Sequence, residues 1–164
     1  MSRAPIGDLD GERRLDALIH EWAQLWGENG TLLGVEHQPH RDGRGHYHWL
    51  IRLRGEEKEV ITLWLSLRQR TVHAETEVIP APEEAPEALY RFAMKKNAEL
   101  REVHLALGPE DGIYLMTRVP IGEVTLERLD ELAGATLAYV DELFPTLMSM
   151  GHPALYRRRR RDAR

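Results

Sequence analysis

The feature that most constrains the fold is a run of alternating apolar residues interrupted only by short turns. Tyr47, Trp49, Ile51 and Leu53 recur at every second position, which is the period of a half-buried strand. The same alternation resumes with Ile61, Leu63, Leu65 and Leu67, and again with Val72, Ala74, Thr76 and Val78. Turns this short join only antiparallel neighbours, so the pattern predicts an antiparallel sheet.

Helical periodicity surrounds these strands. Apolar residues recur at intervals of three and four over residues 9–26, 84–97 and 125–150, which predicts three helices with one apolar face each. A weaker strand is predicted over residues 31–38, and a hairpin turns at residues 108–112. The predicted order is α-βββ(β)-α-ββ-α. This order favours an α+β fold in which the helices cover one face of the antiparallel sheet.

Composition narrows the class of protein. The 164 residues contain no cysteine, which is compatible with a reducing cytoplasm and leaves no thiolate for a metal or a nucleophile. The first residues lack the apolar region of a signal peptide, and no segment approaches the ~18 apolar residues of a membrane span. We therefore expect a cytoplasmic protein without membrane contact.

Charge is distributed unevenly along the chain. Residues 157–164 hold six arginines and one aspartate, whereas the remaining residues carry a net charge of −10. We predict a single domain over residues 1–156 and a basic, disordered tail over residues 157–164. An acidic body repels the phosphate backbone, so nucleic acid is an unlikely general partner.

The sequence offers little catalytic chemistry. None of the three serines lies in a nucleophile elbow, and adjacent carboxylates fall on turns or solvated helix faces. His20 begins an H-E-x-x-Q segment, but Gln24 cannot replace the second imidazole of a zinc-binding H-E-x-x-H helix. We predict that the protein is not an enzyme and that it holds no cofactor.

Two alternative functions remain open. His37, His40, His46 and His48 crowd the first hairpin, and imidazoles that meet across a hairpin could bind a metal or serve a small enzyme. The arginines from Arg157 through Arg161 could contact nucleic acid electrostatically.

The outward face of the sheet carries more apolar surface than scattered residues would. Leu50, Val60, Trp64, Tyr114 and Met116 alternate with the inward residues and should lie on one side. Such a cluster is typical of a surface that binds a protein partner or a second copy. Leu50, Trp64, Tyr114 and Met116 are the predicted partner-binding residues, and Trp64 is the first choice among them.

Three segments resemble the YbjN-domain family, particularly its actinobacterial branch, which belongs to the type III secretion chaperone-like fold. They are residues 70–78 (RTVHAETEV), residues 87–97 (EALYRFAMKKN) and residues 112–121 (GIYLMTRVPI). The final helix is similar in length and pattern, and the resemblance covers about residues 45 to 155. The arginine run and the histidine-rich hairpin depart from the family's pattern.

The resemblance implies an often dimeric, chaperone-like protein or a regulator of sensory transduction. In secretion chaperones of this fold, a partner segment wraps the dimer surface in extended form. Together with the outward cluster, this leads us to expect a non-enzymatic protein-binding module that acts as a homodimer. Its acidic rim would select basic segments of a partner whose identity the sequence does not reveal.

Overall fold

The computed structural model describes residues 6–38, 43 and 45–164, with side chains from residue 10 onward. Its helices and strands follow the predicted order, with a fourth strand before the second helix. The elements are α1 (Ile6–Gly27), β1 (Leu32–Gln38), β2 (Tyr47–Arg54), β3 (Val60–Arg68), β4 (Thr71–Ile79), α2 (Pro86–Lys96), β5 (His104–Leu107), β6 (Ile113–Pro120), α3 (Leu126–Gly151) and α4 (Pro153–Asp162).

The six strands form one sheet in the spatial order β1-β2-β3-β4-β6-β5, and every neighbouring pair is antiparallel. The first four strands are consecutive hairpins. β6 then pairs with β4, which leaves the short β5 at the edge. This arrangement confirms the predicted α+β fold with its antiparallel sheet.

The two faces of the sheet differ in what covers them. Alternate strand residues such as Trp49, Leu65 and Leu115 join Leu15 and Ile19 of α1 in one buried cluster. α3 contributes ten buried residues, among them Val140, to that helix-covered side. Leu50 is buried but lies outside this cluster, on the opposite side that we call the open face.

Local contacts fasten α3 to the sheet. Thr125 caps the start of α3 by accepting a hydrogen bond from the backbone N–H of Arg128. Near the middle of α3, the Asp141 carboxylate accepts backbone N–H groups of the β2–β3 turn. Pro145 lies inside α3, which continues through it to Gly151.

The predicted disorder of residues 157–164 is wrong for most of that segment, because α4 continues to Asp162. Arginine is a strong helix former, and Pro153 occupies the first turn of α4, where proline is tolerated. The guanidinium of Arg159 also lies 5.4 Å from the ring centroid of Phe144 in α3. Propensity and this contact explain why like charges do not leave the segment unfolded.

Candidate functional site

The four predicted partner-binding residues lie together on the open face. Leu50 of β2 is the cross-strand neighbour of Trp64, and Trp64 is in turn the neighbour of Glu75 in β4. Glu75 pairs with Met116 of β6. Tyr114 lies two residues before Met116 and therefore points to the same side. The parity of the strands thus places all four on one continuous surface.

The predicted partner-binding residues differ in how far their side chains are exposed to solvent. Trp64 is 37% exposed, and Val60, on the same strand face, is 43% exposed. Leu50 is only 7% exposed, because Glu36 and Trp64 flank it on the two neighbouring strands. Leu50 therefore offers little area to a partner, although it is the cross-strand neighbour of Trp64.

Tyr114 is held by the β5–β6 turn. A Cβ atom at Gly108 would overlap the Tyr114 ring, and one at Gly112 would lie 2.9 Å from its Cε2 atom. The two glycines therefore allow the turn to lie against the ring. The Tyr114 hydroxyl donates to Oε2 of Glu77 at 3.4 Å. Burial, and then the negative charge of Glu77, raise the pKa of Tyr114 to about 12.

Two shallow cavities meet at Trp64 and Tyr114, since both side chains line each of them. The larger cavity has a volume of about 360 Å³, and the smaller about 250 Å³. The larger is lined by Gln38, His48, Trp64, Ser66, Arg68, Glu75, Pro109 and Tyr114. The smaller is lined by Lys58, Val60, Thr62, Trp64, Glu77 and Tyr114. The exposed tryptophan thus stands between two recesses of the open face.

The open face is electrostatically polarised along the strands. At the end formed by Arg68 and Arg118, burial and these two positive charges lower the pKa of His73 to about 4. Toward the other end, Glu75 and Glu77 face the cavities beside Trp64 and Tyr114. A segment bound across this face would meet opposite potentials at its two ends.

The hairpin histidines divide between the two faces. His37 lies on the helix-covered side, where its ring stacks on Trp49 at 4.7 Å between centroids. His48 lies on the open face, where its Nδ1 is 2.9 Å from the hydroxyl of Ser66. The ring of His46 is 6.4 Å from that of His48, and His40 is outside the described residues.

The four histidines that the sequence left open as an alternative metal site therefore do not come together as a set, because the sheet separates His37 from His48. His37 lies instead between two carboxylates of α1, with its Nε2 3.2 Å from Glu12 and its Nδ1 3.3 Å from Asp16. Within the described ranges, no three His, Cys, Asp or Glu side chains are grouped as a metal ion would require.

A second apolar surface, which the sequence analysis missed, joins α2 to β5. Met94 is 77% exposed and Leu107 is 53% exposed, and both line a cavity of about 270 Å³ between the two elements. The Asn97 side chain accepts from the backbone N–H of Leu105 at 2.6 Å and donates to its carbonyl oxygen at 3.0 Å. Asn97 thus blocks part of the β5 edge to another strand, so a partner here would contact side chains.

None of the described helices combines the length and apolar character needed to cross a membrane. The arginines from Arg157 through Arg161 lie on α4, and in the described part of the chain none of them pairs with a carboxylate.

Comparison with known proteins gives a family match over most of the chain. The sequence model of the YbjN family, described as "Putative bacterial sensory transduction regulator", matches residues 31–148. The chain is 32% identical over 102 residues to the uncharacterized protein ML2442 of Mycobacterium leprae (strain TN), a stretch that is 62% of this chain and 55% of that protein. The chain thus spans about half the length of the curated relatives it matches.

Solved structures share the fold. A chain of the HopA1–SchA chaperone–effector complex superposes with a TM-score of 0.54 at 12% identity, covering 87% of this chain and 98% of that one. A chain of the ExsC–ExsE complex gives a TM-score of 0.52 at 16% identity, covering 82% and 94%. At these identities the likeness establishes the fold alone, which is that of the type III secretion chaperones, as predicted.

Proposed function

Because this chain belongs to the YbjN family, we propose that it is a non-enzymatic, chaperone-like or regulatory protein that binds a partner polypeptide on its open face. The observation that carries the proposal is Trp64, a large aromatic side chain that is 37% exposed on a sheet face opposite the helices. Tryptophan is enriched among residues that dominate binding energy, especially where it stands beside a recess. The two cavities beside Trp64 provide such recesses.

The similar structures support a protein partner. One of them is the HopA1–SchA chaperone–effector complex, and another is the ExsC–ExsE complex. A sheet face that no helix covers can present an apolar patch to a protein partner. Leu50, which is buried at the neighbouring strand position, would limit the motion of the Trp64 side chain and favour such a contact.

The test compares Trp64→Ala with Leu25→Ala, which removes a side chain that is 57% exposed on α1. A partner is first identified by mass spectrometry after capture from native lysate, and its affinity is then measured by calorimetry with purified proteins. Trp64→Ala should weaken binding at least about tenfold while the melting temperature stays within about 2 °C, as for other surface changes. Leu25→Ala should leave the affinity unchanged.

Equal affinities for wild type and Trp64→Ala would contradict the open face as the binding surface. A large loss of thermal stability in Trp64→Ala would assign the side chain to the core instead.

We propose further that the protein is a homodimer in which the second copy covers the α2–β5 surface. Met94 and Leu107 are the two most exposed large apolar side chains on this side, and they border one cavity. Two copies related by a twofold axis would bring the same apolar residues together. Sedimentation velocity should show that Leu107→Lys shifts the dimer toward monomer, whereas Leu25→Lys does not; a monomeric wild type would refute the dimer.

A further inference from the structure

Two carboxylates on the open face form no close ion pair with the described residues. Glu75 is the cross-strand neighbour of Trp64, and Glu77 is the neighbour of Tyr114. Among the residues that the structure describes, neither carboxylate forms an ion pair within 4.0 Å. The polar contact of Glu77 is the neutral hydroxyl of Tyr114, at 3.4 Å. Both negative charges therefore face the cavities that flank Trp64.

Two cations of the same chain border these cavities, Lys58 the smaller one and Arg68 the larger one. The Nζ of Lys58 donates to the backbone carbonyl oxygen of Glu77 at 2.6 Å, and burial lowers the pKa of Lys58. Arg52 faces the carboxylate of Glu36 across the β1–β2 pair, at 3.6 Å. Arg68 lies four residues beyond Trp64, toward the basic end of the face. Within the described residues, none of these cations comes within 4.0 Å of the carboxylate of Glu75 or Glu77.

The raised pKa of Tyr114 indicates a negative electrostatic potential around its hydroxyl group. After burial, the charges of Glu77 and Glu75 contribute to its raised pKa, and Glu110 of the β5–β6 turn adds to them. A phenol resists ionisation where negative charges surround it. The same potential attracts a cationic group, and Tyr114 shares both cavities with the ring of Trp64.

The size and shape of the recesses fit one side chain better than a cofactor. Their volumes, about 360 and 250 Å³, are at or below the lower end of the range for small-molecule sites. The exposed indole face of Trp64 is the best aromatic surface for a cation, and a planar guanidinium can stack on it while it donates to carboxylates on either side.

We propose that this acidic-aromatic recess, bordered by Trp64, Glu75, Glu77 and Tyr114, receives an arginine side chain of an extended partner segment. The inference deepens the partner-binding role proposed above and rests on it. The guanidinium stacks on Trp64 and donates hydrogen bonds to the two carboxylates, and the rest of the segment runs along the open face. The partner's arginine thereby supplies the close ion pair that Glu75 and Glu77 do not form with the described residues.

The first experiment uses three blocked pentapeptides of sequence Val-Thr-X-Thr-Val, in which X is arginine, lysine or citrulline. Binding is followed by NMR through the indole N–H of Trp64 and the backbone amides of Glu75, Glu77 and Tyr114. The arginine peptide should shift these signals with saturation. Citrulline has the same shape without the charge, so its peptide should bind at least about tenfold more weakly.

The second experiment removes the charges from the protein. The double variant Glu75→Gln/Glu77→Gln keeps the size of both side chains and should bind the arginine peptide at least about tenfold more weakly than wild type. Glu87→Gln, on the exposed surface of α2, is the matched control and should bind as wild type does. Melting temperatures of all three proteins should agree within about 2 °C.

Several results would overturn the inference. They are equal binding of the arginine and citrulline peptides, stronger binding of the lysine peptide, no shift up to the solubility limit of the arginine peptide, or unchanged binding by the double variant. Self-association that is lost both in the double variant and in a full chain with Arg157 through Arg161 changed to glutamine would assign the recess to a second copy's arginines and overturn a partner segment.

The two proposals fail in distinguishable ways. If Trp64→Ala loses the captured partner but Glu75→Gln/Glu77→Gln retains it, the open face remains the binding surface and the arginine recess is refuted. If neither variant affects that partner, both proposals are refuted.

Discussion

Replacement of Asp141 by alanine should destabilise the fold by removing the clamp between α3 and the β2–β3 turn. Its Oδ1 atom accepts the backbone N–H groups of Glu56 at 3.0 Å, Glu57 at 2.9 Å and Lys58 at 3.3 Å, and Oδ2 accepts that of Glu56 at 2.9 Å. These contacts join residues more than eighty positions apart in the sequence. The turn therefore depends on a carboxylate from a distant helix.

The size of the effect follows from these hydrogen bonds. Each bond to a charged acceptor contributes about 1.5–3 kcal/mol, but the turn lies at the surface, so its freed N–H groups can bond to water. We therefore expect a total loss of about 2–3 kcal/mol in the free energy of unfolding, below the sum of the separate bonds. For a chain of this length, this corresponds to a melting temperature lowered by about 5–10 °C.

Urea unfolding followed by far-UV circular dichroism measures the loss. Asp141→Asn retains an Oδ1 acceptor and should lie between wild type and alanine. Glu87→Ala, whose carboxylate lies 3.8 Å from Arg91 on the exposed surface of α2, should cost less than about 0.5 kcal/mol. The reasoning fails if Asp141→Ala is no more destabilising than Glu87→Ala.

Two further predictions follow from the open face. Gly108→Ala places a methyl group against the Tyr114 ring, so the ring must move. We expect a loss of about 1–3 kcal/mol in the free energy of unfolding and weaker partner binding. Unchanged NMR chemical shifts of the Tyr114 ring would contradict this prediction. The pKa of His73 is about 4 in the folded chain, against 6.5 for an unperturbed histidine. Between these two pH values the unfolded chain binds more protons than the folded chain. The free energy of unfolding therefore falls as the pH drops from 6.5 to 4. His73→Asn should weaken that dependence in urea midpoints measured across this range, and an unchanged slope would refute the assignment.

The sequence was sufficient for the sheet because alternation is a local property. Trp49, Ile51 and Leu53 are each no more than 1% exposed, as their period of two predicts. Alternation does not predict the exposure of Leu107. Its cross-strand neighbour Ile113 is buried, yet Leu107 is 53% exposed. β5 is the edge strand, and parity does not reveal how far the covering helices extend.

The candidate site was predictable in position but not in detail. The strand parity placed Trp64 and its companions on one face, whereas the burial of Leu50 depends on Glu36 of β1. The pairing of β1 with β2 changes register between Leu32 and Gly34. In the register that follows, His37 lies on the helix-covered side. The sequence does not specify such a shift, so the hairpin histidines were grouped too closely.

The apolar surface between α2 and β5 could not be predicted from the sequence. It forms only where these two separate elements pack together. Met94 falls on a helix that also carries the buried Leu89 and Ala93, and its exposure depends on where β5 lies. The disorder predicted for residues 157–164 was wrong for a different reason. That prediction gave more weight to the charge of the arginines than to their helix propensity.

Photo-crosslinking would locate the bound partner on the surface of the protein. A benzophenone amino acid replaces Thr62, which lines the recess beside Trp64, or Glu131, which is exposed on α3, so that Trp64 itself is retained in both proteins. The account predicts that irradiation joins the purified partner to the chain labelled at position 62 and not to the chain labelled at position 131. Crosslinking from position 131 alone would contradict binding on the open face.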